Sequence, residues 1–233
     1  MIFEGYLNKQ YKEYVMKKLL FIFLFSIGSS YVMAQNEVAV DPQAKKILDA
    51  SYSAVANYTN GFKADFSLTI ENEKTEKNTV MNGLILMKGE KFKLQLPDME
   101  TYYNGKVEYV YMIKEKEVNV SEPKKDDLQE INPLMLLNSY KKNYKMKLIG
   151  TSEKNGKTFD VVNLYPNDRS KPYSIVTIMI DTNSKLPYFI KTKGKNGINM
   201  MVEISNHKKE NLQDESFVFN EKNHPGVEVI DLR

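Results

Sequence analysis

Bond-making chemistry needs a nucleophile, a proton-transfer pair or a metal cluster, and this chain of 233 residues is poor in all three. It has no cysteine and only two histidines, His207 and His224, on opposite sides of a charged C-terminal segment. That set assembles neither a Cys/His nucleophile pair nor a typical zinc cluster. His207 stands beside Lys208 and Lys209 at the end of a strand pattern and is expected in solvent. Gly-rich phosphate loops and nucleophile-elbow patterns are absent. Asp126-Asp127 sits in a polar run and reads as loop, and Lys124-Lys125 and Lys141-Lys142 read as solvated faces. Asn57-Tyr58-Thr59 and Asn119-Val120-Ser121 match the glycosylation acceptor pattern, which is common by chance. No catalytic residue, metal or cofactor is expected, and the chain is not expected to be an enzyme. The side chains left to act are apolar, and their chemistry is the exclusion of water.

Those side chains recur at two periods. Asp41-Pro42 has the form of a helix cap with proline at the first helical position, followed by Ala44, Ile47, Leu48, Tyr52 and Val55 at helical spacing. After Asn60-Gly61 the period falls to two, with Phe62, Ala64, Phe66, Leu68 and Ile70 on one side of a strand. The same alternation appears in Phe92, Leu94 and Leu96, in Val107, Tyr109, Tyr111 and Ile113, and in Ile198, Met200, Val202 and Ile204. Further strand patterns cover 79–88, 144–149, 158–165, 173–180 and 186–192, and the total is expected to be roughly ten or eleven. One other helix is expected over 133–140, with no repeat, linker or second domain. A sheet that wide coils or closes, because strand twist accumulates. Its apolar side then becomes concave, with only two helices to cover it. Nine of the 12 methionines lie beyond residue 34, and Met repacks readily around apolar guests. That composition suits a cavity for a flexible chain, although methionines that simply fill an irregular core are commoner.

The first residues read as a processing signal. Met16-Lys17-Lys18 is a basic start, Leu19 to Ile27 an apolar run, and Val32-Met33-Ala34 a small-residue end compatible with cleavage before Gln35. The apolar run is too short to span a membrane, which takes roughly 20 residues. Residues 1–15 suit neither a signal nor a folded element, so translation is expected to begin at Met16, with 16–34 a signal peptide and 35–233 a single domain. Subtracting the leader's four lysines and two glutamates from 33 basic and 30 acidic residues leaves a net charge of about +1. Such balance gives no general reason to bind nucleic acid, although a local patch would escape the count. Gln35 stands where an acylated bacterial lipoprotein would carry cysteine, so the mature chain is expected to be soluble and without its own lipid anchor.

Several segments together resemble the LolA family of outer-membrane lipoprotein carriers. Gly83-Leu84-Ile85-Leu86-Met87-Lys88-Gly89-Glu90-Lys91-Phe92-Lys93-Leu94 resembles the family's early hairpin. Tyr103-Asn104-Gly105-Lys106, continuing to Tyr109-Val110-Tyr111, is similar to its turn and aromatic strand, and Pro133-Leu134-Met135-Leu136-Leu137 to its central helix. The ending Phe217-Val218-Phe219, then Pro225-Gly226-Val227-Glu228-Val229-Ile230-Asp231, is the closest of these matches. The resemblance runs from about Asp41 to Arg233. It implies a mostly β, α+β fold: an incompletely closed antiparallel barrel with helices as a lid over an apolar concave face. It also implies a periplasmic monomer that receives lipoprotein acyl chains from an inner-membrane release complex and passes them to an outer-membrane acceptor. Where the family carries an Arg-Pro pair tied to holding the lid, this chain has Lys88-Gly89-Glu90-Lys91, with Lys88 as the candidate lid contact. A point-like ammonium does not reproduce the planar guanidinium fork.

Strand alternation and the helix stripe select Phe66, Leu68, Phe92, Leu94, Tyr109, Tyr111, Leu134, Leu137, Met200 and Val202 as the lipid-binding lining. The competing expectation is a secreted structural or regulatory module with a dry core; a carrier of another lipid or amphiphile is also open. A cavity of several hundred cubic ångströms separates carrier from dry core.

Overall fold

The computed structural model describes residues 41–124, 128 and 133–233, so the expected upstream segment, the signal peptide and Asp126-Asp127 lie outside the described residues. Helix α1 spans Pro42–Ala56 and begins as its sequence dictates. The Asp41 carboxylate accepts from the backbone N–H of Gln43 at 2.8 Å and of Ala44 at 3.3 Å, satisfying donors that the helix cannot. Its second oxygen accepts from the Leu148 N–H at 2.9 Å, so one side chain both caps the helix and fixes it to a strand edge. The Leu148 bond, ahead of those from Ala44 and Gln43, holds the Asp41 carboxyl below its ordinary value.

The chain then turns at Gly61, whose φ of +111° and close approach to the Met87 carbonyl and Leu212 exclude a Cβ. Strands follow as β1 (Phe62–Asn72), β2 (Lys77–Lys88), β3 (Lys91–Leu96), β4 (Met99–Tyr103), β5 (Glu108–Met112) and β6 (Glu117–Ser121). A 3-10 turn at Pro133–Met135 leads into α2 (Leu136–Asn143). The second half runs β7 (Tyr144–Lys154), β8 (Lys157–Pro166), β9 (Tyr173–Asp181), β10 (Pro187–Gly194) and β11 (Ile198–Lys209), and the chain closes with β12 (Glu228–Asp231).

These form one open sheet of 12 strands in the order β12-β6-β5-β4-β3-β2-β1-β11-β10-β9-β8-β7. Each neighbouring pair is antiparallel except β12 on β6, which is parallel. The mostly β, incompletely closed architecture is borne out. The expected ten or eleven strands become 12, because β4, β6 and β12 are short and lack a clean one-sided apolar pattern. β6 absorbs Asn119-Val120-Ser121, where Asn119 donates to Glu117 at 3.1 Å from within the strand.

In an antiparallel pair, residues directly opposite share a face. The register therefore places Phe62, Ala64 and Phe66 of β1 on the same side as Ile85 and Met87 of β2, Phe92 of β3, and Ile204 of β11. Ile190, Ile178, Val162 and Met146 continue that side through β10, β9, β8 and β7. All belong to one buried cluster with Ala44 and Leu48 of α1 and Leu136, Leu137 and Tyr140 of α2. The sheet coils around this face, and both helices lie on it.

Candidate functional site

Under the helices the apolar face is closely packed. Phe92, Val162, Leu164, Ile178 and Leu48 have no exposed surface, and Leu134, Leu137 and Tyr140 seal them from above. Toward the end of the sheet that carries the β1–β2 and β10–β11 turns, the same face stays apolar but is only half-buried. Leu68 lies opposite Val202 and Met81, and Ile70 lies opposite Met200. Leu94 and Leu96 follow on β3, with Met99 and Met112 opposite one another beyond them. The outcome is an apolar trough, rich in Leu and Met, that runs out from the covered core.

The expected lining residues divide by face. Phe66, Phe92, Leu134 and Leu137 sit in the buried core; Leu68, Leu94 and Val202 pack against it half-buried, and Met200 is half-buried in the trough. Tyr109 and Tyr111 do not join them. β4 pairs with β5 so that Tyr103 opposes Glu108 and Tyr102 opposes Tyr109, which turns both tyrosines to the outer face. There Tyr111 packs on Phe219 at 5.1 Å and on His224 at 4.5 Å between ring centroids, beside Tyr102 and Val118. Both faces of β5 are apolar, so alternation alone does not tell which one meets the core.

Lys88 is likewise on the outer face, one residue beyond the inward Met87. Its ammonium donates to the Leu212 carbonyl at 2.9 Å and to Asp214 at 3.1 Å, and Lys91 meets the same Asp214 at 2.7 Å. These lysines, Lys91 first, hold the Asp214 carboxyl below its ordinary value. Lys88 thus fastens a C-terminal strap rather than the lid. The strap runs from Leu212 through buried Phe217 and Phe219 to β12, across the outside of β3 to β6.

The contact between the two helices is made by residues that sequence pattern did not single out. Tyr140 of α2 donates its hydroxyl to Asp49 of α1, and Lys45 at 2.6 Å and Lys141 at 2.8 Å flank the same carboxylate. Bonds from Lys141, Lys45 and Tyr140, in that order, hold the Asp49 carboxyl well below the usual carboxylate range. The available signal was Lys45 and Asp49 at helical i,i+4 spacing, which names one pair but not the partner helix.

His207 corrects the expectation of a solvated ring. It is half-buried, 6.5 Å from the Phe62 ring, with Nε2 buried and without a hydrogen-bond partner. Burial, then the Lys157 charge, pushes its pKa down. Among the described residues no group of three or more acidic, His or Cys side chains is placed to hold a metal. No helix among them is long and apolar enough to cross a membrane. A groove of about 660 Å³ crosses the outer face of β1, β2, β3 and β11, and its lining is mixed: Asp65, Asn82, Gln95 and Glu203 are polar, whereas Phe66, Leu84, Leu96 and Pro97 are apolar.

The sequence profile of the family described as outer membrane lipoprotein carrier protein LolA matches residues 17–197. The chain belongs to that family. The matched span of this LolA relative contains α1, the early hairpin, the turn at Asn104-Gly105 and α2. It stops before the ending 217–231, where the resemblance looked closest, so the strap lies beyond it. No curated protein matches the sequence. Among solved structures, an uncharacterized conserved protein from Thermus thermophilus is similar at 10% identity and a TM-score of 0.56, over 81% of this chain and 99% of that one. It shares the fold. A LolA superfamily protein from Nitrosomonas europaea is similar more loosely, at 14% identity and a TM-score of 0.40, over 76% and 97% of the two chains. LprF from Mycobacterium bovis stands at 12% and 0.42, over 76% and 99%.

Proposed function

We propose that the protein is a periplasmic carrier that binds lipoprotein acyl chains against the concave apolar face and delivers them to the outer membrane. The observation that carries this is the trough: Leu68, Leu94, Met200 and Val202 stay half-buried on a face that elsewhere is sealed. A folded chain has no reason of stability to leave such a strip uncovered, and burial contributes about 0.8 kcal/mol per methylene of a guest chain. Two or three acyl chains would hold firmly. Phe66, Phe92, Leu134 and Leu137 become lining when the helices lift, and release follows where a receiver binds the chains better. An inner-membrane release complex would load the carrier and an outer-membrane acceptor would unload it. Family membership supports this cycle, and a leader cleaved near Ala34 supplies the export route. Binding and release need no covalent step, so no catalytic residue is assigned.

The test is native mass spectrometry with lipid extraction on protein purified from its own periplasm. Acyl chains should co-purify, be lost from Leu68→Asp and Leu94→Asp, and be kept by Val80→Asp, which changes an outer-face residue already 60% exposed. Repeated recovery of empty protein that also refuses added lipoprotein would sink the carrier and leave the dry-core binding module.

A further inference from the structure

The chain has no cysteine and no tryptophan, so its methionine thioethers are the side chains that a two-electron oxidant meets first. Nine methionines lie beyond residue 34, and the fold sorts them into three places. Met87, Met135 and Met146 belong to the buried core and are at most 6% exposed. Met179 and Met201 are half-buried on the outer face, each next in sequence to a side chain that points inward, Ile178 and Val202. The remaining four, Met81, Met99, Met112 and Met200, are half-buried on the inner face. All four stand in the trough: Met81 lies opposite Leu68, Met200 opposite Ile70, and Met99 opposite both Leu96 and Met112.

What admits an acyl chain to this strip also admits a small oxidant. A peroxide transfers one oxygen to a thioether: the S–O bond forms as the O–O bond breaks, sulfur gives up two electrons, and hydrogen peroxide leaves as water. The sulfoxide that results is polar and accepts hydrogen bonds. Its neighbours Leu68, Ile70, Leu94 and Leu96 have no side-chain donor to offer, so water must supply one. An oxidised trough is therefore satisfied when empty and unsatisfied under a chain, and each covered sulfoxide should weaken binding by about fivefold or more. We propose that Met81, Met99, Met112 and Met200 form an oxidation site at which a peroxide turns the apolar wall polar and expels the bound chain. The proposal names a control on the carrier and rests on that reading.

The test adds hydrogen peroxide to protein purified from its own periplasm and follows peptide mass spectrometry together with uptake of a diacylglycerol carrying a pyrene-labelled chain. Oxygen should appear at the four trough methionines before Met87, Met135 and Met146. Uptake should weaken by at least about 25-fold, as two covered sulfoxides imply, while circular dichroism stays unchanged. Methionine sulfoxide reductases for both sulfoxide epimers, with dithiothreitol, should restore it. Met81→Leu/Met99→Leu/Met112→Leu/Met200→Leu, which nearly conserves volume, should bind the probe and keep it through oxidation. Met179→Leu/Met201→Leu should lose it as the wild type does. Equal oxidation of buried and trough methionines, loss of uptake only with loss of the folded signal, equal protection by the two variants, or full uptake with the four sulfoxides in place overturns the inference and leaves the carrier standing. Wild-type protein that takes up no probe before oxidation refutes the carrier reading, and the inference falls with it.

Discussion

Replacing Asp49 by Ala removes the side chain that accepts from the Tyr140 hydroxyl, and the cost follows from burial on the two sides of that bond. Tyr140 is 1% exposed, so its hydroxyl does not reach water in compensation, and an unmet buried donor costs about 1–3 kcal/mol. The flanking lysines add little: Lys45 and Lys141 are 48% and 56% exposed, and solvent screening reduces such pairs to a few tenths of a kcal/mol each, at about the low end of the exposed range. The expected loss is about 2 kcal/mol, or roughly 4–8 °C in melting temperature for a domain of this size. Urea unfolding of the wild type, Asp49→Ala, Tyr140→Phe and the double variant closes the cycle. With no hydroxyl left to satisfy, Asp49→Ala should cost at least about 1 kcal/mol less in the Tyr140→Phe background. Equal cost in both backgrounds would refute the argument that this bond joins α1 to α2. Acid should act in the same direction. The Asp49 carboxyl is lowered in the fold, so its contribution is complete above the unfolded carboxylate range and is lost as pH falls through the folded value.

Three further outcomes follow from the packing. The His207 imidazole is held below its ordinary value, so it favours the fold above pH ~6.5 and this contribution declines as pH drops below that toward the folded value. Melting temperature measured from pH 8 to 5 should therefore fall less steeply in His207→Phe, and identical slopes would exclude the ring as the cause. A methyl group at Gly83 would lie 2.4 Å from the Gln95 carbonyl and 2.5 Å from the Phe66 ring, so Gly83→Ala should lose about 1–3 kcal/mol in thermal unfolding; an unchanged melting temperature would mean that both the β3 backbone at Gln95 and the Phe66 ring yield without cost. Phe217 is fully buried under the strap, and Phe217→Ala should cost about 3–5 kcal/mol by urea titration, whereas a loss under about 1 kcal/mol would show a strap that does not pack.

Much of this molecule is written at short range. Asp41-Pro42 specifies its own helix cap, because the carboxylate and the first free N–H groups are neighbours in the chain. The alternation from Phe62 to Ile70 specifies a strand and its buried side, because the opposite side carries Lys63, Asp65 and Ser67 and admits one orientation only. The shortage of histidine and cysteine excludes whole classes of chemistry without any structure. The trough was legible to the same degree: Leu68, Leu94, Met200 and Val202 all lie on strands whose two faces differ in polarity.

Where both faces of a strand are apolar, the sequence is silent about which is inward. In β5, Val110 and Met112 alternate with Tyr109 and Tyr111, and only the pairing of Tyr103 with Glu108 turns the tyrosines outward. What covers them is Phe219, more than a hundred residues away, carried there by the strap. Lys88 meets Leu212 and Asp214 for the same reason, and β12 joins β6 in parallel because the strap returns along the outer face. Period two distinguishes the faces of a strand but does not say which is buried. That choice is made by register and by distant chain, which exist only once the sheet has assembled.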